Sequence, residues 1–125
     1  MKKVVSTSNA PAAIGPYSQA TIYNQVLYIS GQLPIDPSTG EMVGDDISRE
    51  THQVMRNLAA IVEAAGGKME NVLKATILLT DMGCFAAVNE VYSSYFPENP
   101  PARICYQVVA LPKGARVEVD AVCAL

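Results

Sequence analysis

Residues 18–30 put apolar side chains on both faces of a strand pair, and this limits the folds open to the chain. Ala20, Ile22, Val26 and Tyr28 alternate with Thr21, Tyr23, Leu27 and Ile29 about Asn24-Gln25, a dipeptide suited to a hairpin turn. An antiparallel sheet with water on one side shows a cleaner alternation of apolar and polar residues. Both faces of this sheet therefore need cover, and the rest of the sequence must supply it.

Two segments have the period of a helix. Ile47, Thr51, Val54, Leu58, Ile61, Val62 and Ala65 recur at steps of three and four and predict a helix over 47–65. Asp45 or Asp46 can cap it, where a carboxylate suits the positive end of the dipole, and Gly66-Gly67 can end it. Phe85, Val88, Tyr92 and Tyr95 predict a second helix over 83–96, stopped by Pro97, Pro100 and Pro101. Strands are expected at Val4-Val5, 18–24, 26–30, 72–80, 104–109 and 117–124. Residues 9–16 and 31–46, rich in Pro and Gly, are expected to be loop and turn. The order β-β-β-α-β-α-β-β describes an α+β chain, residues 1–125 forming one domain with a mixed sheet. Each helix links two strands, so each crossover is right-handed if those strands are parallel neighbours. Two helices on one side leave the other sheet face open, and a second subunit packed there is the simplest cover. A homo-oligomer is expected.

Composition excludes several classes. Half the residues are hydrophobic and 17% are charged, against about 25% in a typical domain, which excludes disorder. The net charge of −3 argues against nucleic acid as the main partner. No apolar run approaches the roughly 18 residues of a membrane span. Met1 to Ser6 has two lysines but no apolar block after them, so no signal peptide is expected. Cys84, Cys105 and Cys123 form no Cys-x-x-Cys pair, and reduced thiols in the cytoplasm are expected. His52 is the only histidine, which argues against a His-rich metal site and a Ser-His-Asp triad. It follows a member of the first apolar stripe and reads as a flanking, non-catalytic residue.

The last strand alternates Val117, Val119, Ala121 and Cys123 with Arg116, Glu118 and Asp120. Glu118 thus projects away from the helices, either as a partly buried acid/base or as part of a solvated strand face. Arg103 follows Pro100-Pro101-Ala102, a rigid approach. Its planar guanidinium suits a two-point grip on a carboxylate, and equally an ordinary surface ion pair. Cys105 shares its face and reads as a small hydrophobe or a backbone contact rather than a nucleophile. Gly15-Pro16-Tyr17-Ser18 and Ser30-Gly31-Gln32 are glycine-bearing loop edges where a ligand can approach the backbone, or plain turns. Asn89 lies on the second helix, next to the apolar Val88.

Taken in order, Asn9-Ala10-Pro11-Ala12-Ala13-Ile14-Gly15-Pro16-Tyr17-Ser18-Gln19, Ser30-Gly31-Gln32, Asn89-Glu90-Val91-Tyr92, Pro101-Ala102-Arg103, Leu111-Pro112-Lys113 and Val117-Glu118-Val119 resemble the RidA/YjgF family of reactive-intermediate imine and enamine deaminases. The likeness runs from end to end. It implies a chorismate-mutase-like α+β fold and a homotrimer with the sheets forming a central barrel. It also implies cofactor-free hydrolysis of short 2-imino acids (2-iminopropionate, 2-iminobutyrate) to 2-oxo acids and ammonia in clefts between subunits. On this resemblance Arg103 holds the substrate carboxylate and Glu118 positions the attacking water and manages its protons. Tyr17 edges the cleft, Asn89 lines it, and Ser30, Gly31 and Cys105 lie near the ligand.

The sequence departs from the usual family pattern at Gln107, where a glutamate is common, and at Ala110, where an arginine is common. Both departures bear on substrate range and on ion pairs at subunit edges. Two rival functions use the same fold: a trimeric binding or regulatory protein for small 2-oxo carboxylates, and an endoribonuclease. Arg103 and Glu118, both retained, favour hydrolysis over binding alone, and the acidic charge balance and single histidine disfavour the ribonuclease. With one histidine and no paired cysteines, no metal is expected. Dialysis against a chelator should leave imine hydrolysis unchanged; activity lost on dialysis and restored by a divalent ion would overturn this.

Overall fold

Asn24 and Gln25 both take left-handed backbone angles, with φ of 51° and 62°. Two consecutive positive φ values make the turn whose twist matches that of paired strands. The computed structural model, which describes residues 1–125, accordingly joins β2 (Ala20–Tyr23) to β3 (Val26–Gln32) as a tight antiparallel hairpin. β1 (Lys3–Val5) pairs along the outside of β2. The remaining elements are α1 (Ile47–Ala64), β4 (Val72–Leu79), α2 (Phe85–Ser94), β5 (Ala102–Gln107) and β6 (Val117–Ala124). The six strands form one sheet in the order β1-β2-β3-β6-β4-β5.

Only β4 and β5 are parallel, joined through α2 as a crossover requires. The strands flanking α1 are not neighbours, because β6 lies between β3 and β4 and is antiparallel to both. The condition of parallel neighbours thus holds for the strands that α2 links and not for those that α1 links. The last strand is placed by hydrogen bonding to both halves of the sheet, and local sequence carries no record of that choice.

α1 begins where the Asp46 carboxylate accepts the Ser48 N–H at 2.9 Å. It ends at Gly66, whose φ of 83° turns the chain while the Gly67 N–H reaches the Val62 carbonyl. Val54, Met55, Leu58, Ile61 and Val62 are buried against the sheet. They pack with Leu27, Ile77, Leu79, Val117 and Val119 from the strands and with Val88 and Tyr92 from α2, so both helices cover the same face. Ile47 and Ala65, the ends of the expected stripe, are only half-buried. α2 is shorter than expected, with a separate turn at Met82–Cys84 before it, and Phe96 beyond it is buried. β5 starts two residues earlier than expected and leaves Val109 exposed.

The apolar stripe of α1 does not show that the helix also buries Glu50, Gln53 and Asn57. Asn57, 1% exposed, donates to the carbonyls of Leu33 and Ile35 and accepts from the Gln53 side chain. It thereby fastens the segment leaving β3, whose carbonyls have no ladder partner there. Glu50 pairs with Arg116. This corrects the placement of Arg116 beside Glu118 and Asp120. Arg116 precedes β6, and its side chain turns to the buried carboxylate on α1 instead of following the strand alternation.

On the sheet face away from the helices, Tyr28, Ile104 and Tyr106 remain about half exposed. Asn57→Ala would strip the Ile35 carbonyl and the Gln53 amide N–H of their partners and leave the Leu33 carbonyl with only the Ile35 N–H. It should lower unfolding free energy by about 3 kcal/mol, measured by urea unfolding at matched protein concentration. A loss below about 0.5 kcal/mol would show that water replaces the amide without cost.

Candidate active site

Along β6, alternate side chains enter the core, so Glu118 must point to the open face. It is paired across the sheet with Leu78 of β4, which in turn faces Tyr106 of β5. On its other side lies β3, whose pairing with β6 is irregular between Ile29 and Gln32. Ser30 and Gly31 occupy this irregular stretch. A Cβ on Gly31 would stand 2.3 Å from Oε2 of Glu118. The carboxylate therefore lies against the glycine backbone, and a side chain at residue 31 would displace it. Ser30 is fixed beside it: its hydroxyl donates to the Ser18 carbonyl at 2.6 Å and its N–H to the Gln19 carbonyl at 3.0 Å.

Glu118, Gly31 and Ser30 line a cleft of about 320 Å³ with Tyr17, Ile14, Leu33 and Pro112. Tyr17 is half exposed at its edge and accepts the Ile14 N–H with its hydroxyl. Burial pushes the Glu118 carboxyl above its ordinary pKa, and the charge of Asp120 on the same face pushes the same way. A raised carboxyl can hold or release a proton nearer neutral pH than a solvated one.

Arg103 lies elsewhere. Its register partners are Ala75 of β4 and, one strand further, Ala121 of β6, both buried on the helix side. Its guanidinium accordingly reaches α2. It lies 5.5 Å from the ring centre of Phe85 and 5.1 Å from that of Tyr92. One guanidinium nitrogen donates to Oδ1 of Asn89 at 2.7 Å. Phe85, Asn89 and Tyr92 are four and three residues apart and share one side of α2. They hold the cation while leaving it exposed, at the wall of a cleft of about 450 Å³ with Ser93, Phe96, Pro100 and Pro101.

The structure thus brings Tyr17, Ser30, Gly31 and Glu118 together, and Asn89 and Arg103 together. It does not bring the two groups to each other, because the sheet of one chain lies between them. Cys105 lines neither cleft. It is half-buried on the helix side against the core, and burial raises its thiol pKa although the Arg103 charge opposes this. That state suits packing better than nucleophilic attack. His52 makes a 3.1 Å contact with the Tyr95 hydroxyl between the two helices. Gln107, the departure from the common glutamate, accepts the Met82 N–H at the turn before α2, a task that needs only an acceptor oxygen.

Sequence reasoning missed the aromatic seat of Arg103, although the spacing of Phe85, Asn89 and Tyr92 carries it. It also missed that the Glu118 carboxylate lies against Gly31, for which no local signal exists.

The family model described as Endoribonuclease L-PSP matches residues 7–125. A relative from Rattus norvegicus named 2-iminobutanoate/2-iminopropanoate deaminase is 50% identical over 122 residues, covering 98% of this chain and 89% of the relative. The chain belongs to the RidA/YjgF family. Among solved structures, a Rid family protein from Yersinia pestis, YyfA, is 44% identical with a TM-score of 0.98, each chain covered in full. E. coli TdcF with bound serine is 37% identical with a TM-score of 0.94, covering 98% of each chain. The RidA/YjgF fold is therefore shared along the whole length.

The raised pKa of Glu118 gives a signed expectation. A carboxyl whose pKa is higher folded than unfolded favours the fold below the unfolded value, about 4.3 for glutamate, and loses that contribution as pH rises through the folded value. Glu118→Gln should therefore raise the thermal unfolding midpoint at pH 7, and the gain should vanish below about pH 4. A difference from wild type that is the same at both pH values would refute burial as the cause.

Proposed function

We propose that the protein hydrolyses short 2-imino acids, such as 2-iminopropionate and 2-iminobutyrate, to 2-oxo acids and ammonia. The observation that carries this reading is the pair of half-sites, one a seated, exposed guanidinium and the other a carboxyl of raised pKa against bare backbone. A 2-imino acid needs both: a cation for its carboxylate and an acid/base for water adding to its C=N carbon. The relatives named for this reaction support the substrate class. Serine bound in TdcF supports a small amino-acid-like ligand.

Arg103 would hold the carboxylate by two parallel N–H donors. Glu118 would take a proton from water as the water oxygen bonds to the imine carbon and pass it to the imine nitrogen, giving a carbon that bears a hydroxyl and an amine. The carboxylate would then take the hydroxyl proton and deliver it to the amine as the C–N bond breaks and the C=O bond forms, leaving the 2-oxo acid and ammonia. Ser30 and Gly31 would line the ligand's other side, with Tyr17 at the cleft edge and Asn89 acting through Arg103. Water addition and ammonia loss consume no redox equivalents, so the proposal needs no cofactor.

The sheet between the half-sites requires that Arg103 and Glu118 meet across a subunit boundary. We infer a homotrimer, its sheets forming a central barrel that covers Tyr28, Ile104 and Tyr106. Each chain, residues 1–125, would contribute as one domain. Three free cysteines suit the reducing cytoplasm, and no helix is long and apolar enough to cross a membrane.

Arg103→Lys keeps the charge and loses the planar fork, so 2-oxobutyrate should bind roughly tenfold or more weakly. Glu118→Gln should cut turnover by roughly 10²–10⁴-fold while still binding 2-oxobutyrate. Sedimentation equilibrium should give three times the 13.3 kDa chain mass for wild type and both variants. Wild-type turnover in Glu118→Gln, undiminished binding in Arg103→Lys, or a fully active monomer would each overturn the corresponding assignment.

A further inference from the structure

We propose that Gln19 is a positioning residue for the Glu118 cleft, holding by its side-chain amide the loop that forms one wall. The inference rests on the reading of that cleft as the site of hydrolysis. Residues 6–16 contain no helix or strand, and none of their N–H groups joins a backbone ladder. Ala10 is buried in the core and Asn9 and Ile14 each donate to a nearby hydroxyl, but four of the hydrogen bonds that hold this stretch go to one side chain, 5% exposed. Oε1 of Gln19 accepts the Thr7 N–H at 2.7 Å. Its Nε2 donates to the carbonyls of Thr7 at 3.0 Å, Pro11 at 2.8 Å and Ala10 at 3.3 Å.

The main chain completes the link. The Gln19 carbonyl accepts the Ser30 N–H, and the neighbouring Ser18 carbonyl accepts the Ser30 hydroxyl. Gln19 therefore ties the loop carrying Ile14 and Tyr17 to the strand carrying Ser30 and Gly31, and both line the cleft. The task selects the residue type. It needs one acceptor and two donors at the end of a two-carbon stem: glutamate lacks the donors and asparagine lacks the reach. A wall held in place acts on the bound ligand throughout the reaction, so its release should weaken binding more than chemistry.

The test uses the full chain and two substitutions of similar length, Gln19→Met, which removes every bond, and Gln19→Glu, which removes the donors. With both proteins folded and their oligomeric state verified, KM for 2-iminobutyrate and the dissociation constant of 2-oxobutyrate should rise about tenfold. Turnover should stay within about threefold of wild type. Amide exchange should show Thr7 protected in wild type and unprotected in Gln19→Met. Unchanged KM and 2-oxobutyrate affinity in a folded variant whose Thr7 amide is unprotected would overturn the proposal, since a purely structural clamp gives that result. Wild type supplies a check that needs no variant: if its Thr7 amide exchanges as fast as an unbonded one, the clamp does not exist in solution. Failure of the underlying reading looks different, because Glu118→Gln would then hydrolyse imines at the wild-type rate whatever the Gln19 variants do.

Discussion

β6 lies between β3 and β4, and alternate side chains along it meet opposite surroundings. Val117, Val119, Ala121 and Cys123 are buried against α1 and the rest of the core. Burying four apolar side chains sets the register of the strand, since a slip of one residue would turn all of them out. The same register carries Glu118 to the open face and onto Gly31. Core packing and the position of the acid are thus one constraint, and substitutions that loosen the helix-side face of β6 also move the carboxylate.

The second constraint is the fate of backbone carbonyls outside the ladders. Residues 6–16 and 33–35 approach the sheet as irregular chain, and buried carbonyls without partners would be costly there. Two buried amides meet this need, Gln19 for Thr7, Ala10 and Pro11, and Asn57 for Leu33 and Ile35. Both segments border the Glu118 cleft. Around the cleft, shape comes from side-chain amides serving main chain, whereas Arg103 is set by aromatic rings and one amide on α2.

Electrostatics separates the two half-sites as firmly as the sheet does. Arg103 stays exposed, stacked on rings that attract a cation without neutralising it. Glu118 is partly buried beside another carboxylate, without a positive partner in its own chain. One half-site is built to receive negative charge and the other to resist becoming negative. An anionic ligand with a polar reacting carbon satisfies both at once.

Much of the fold was legible because its signals are local. The helix over 47–65 followed from spacing, its cap from the Asp45-Asp46 pair, of which the structure uses Asp46, its stop from Gly66-Gly67, and the hairpin from Asn24-Gln25. The inward face of β6 followed from strict alternation. The ordered motifs from Asn9 to Val119 placed the chain in its family. What the sequence did not show depends on residues far apart in the chain. These are the insertion of β6 between β3 and β4, the turn of Arg116 to Glu50, the clamps of Gln19 and Asn57, and the contact of Gly31 with Glu118. The assignment of Arg103 and Glu118 to opposite sheet faces needed the pairing of β5 with β4 and of β4 with β6. Sequence by itself determined which segments could be helix or strand and which side chains had the right chemistry, since backbone preference and side-chain period act over a few residues. Tertiary structure alone decided which of those side chains share a cleft, since hydrogen bonds between distant strands set their faces and registers.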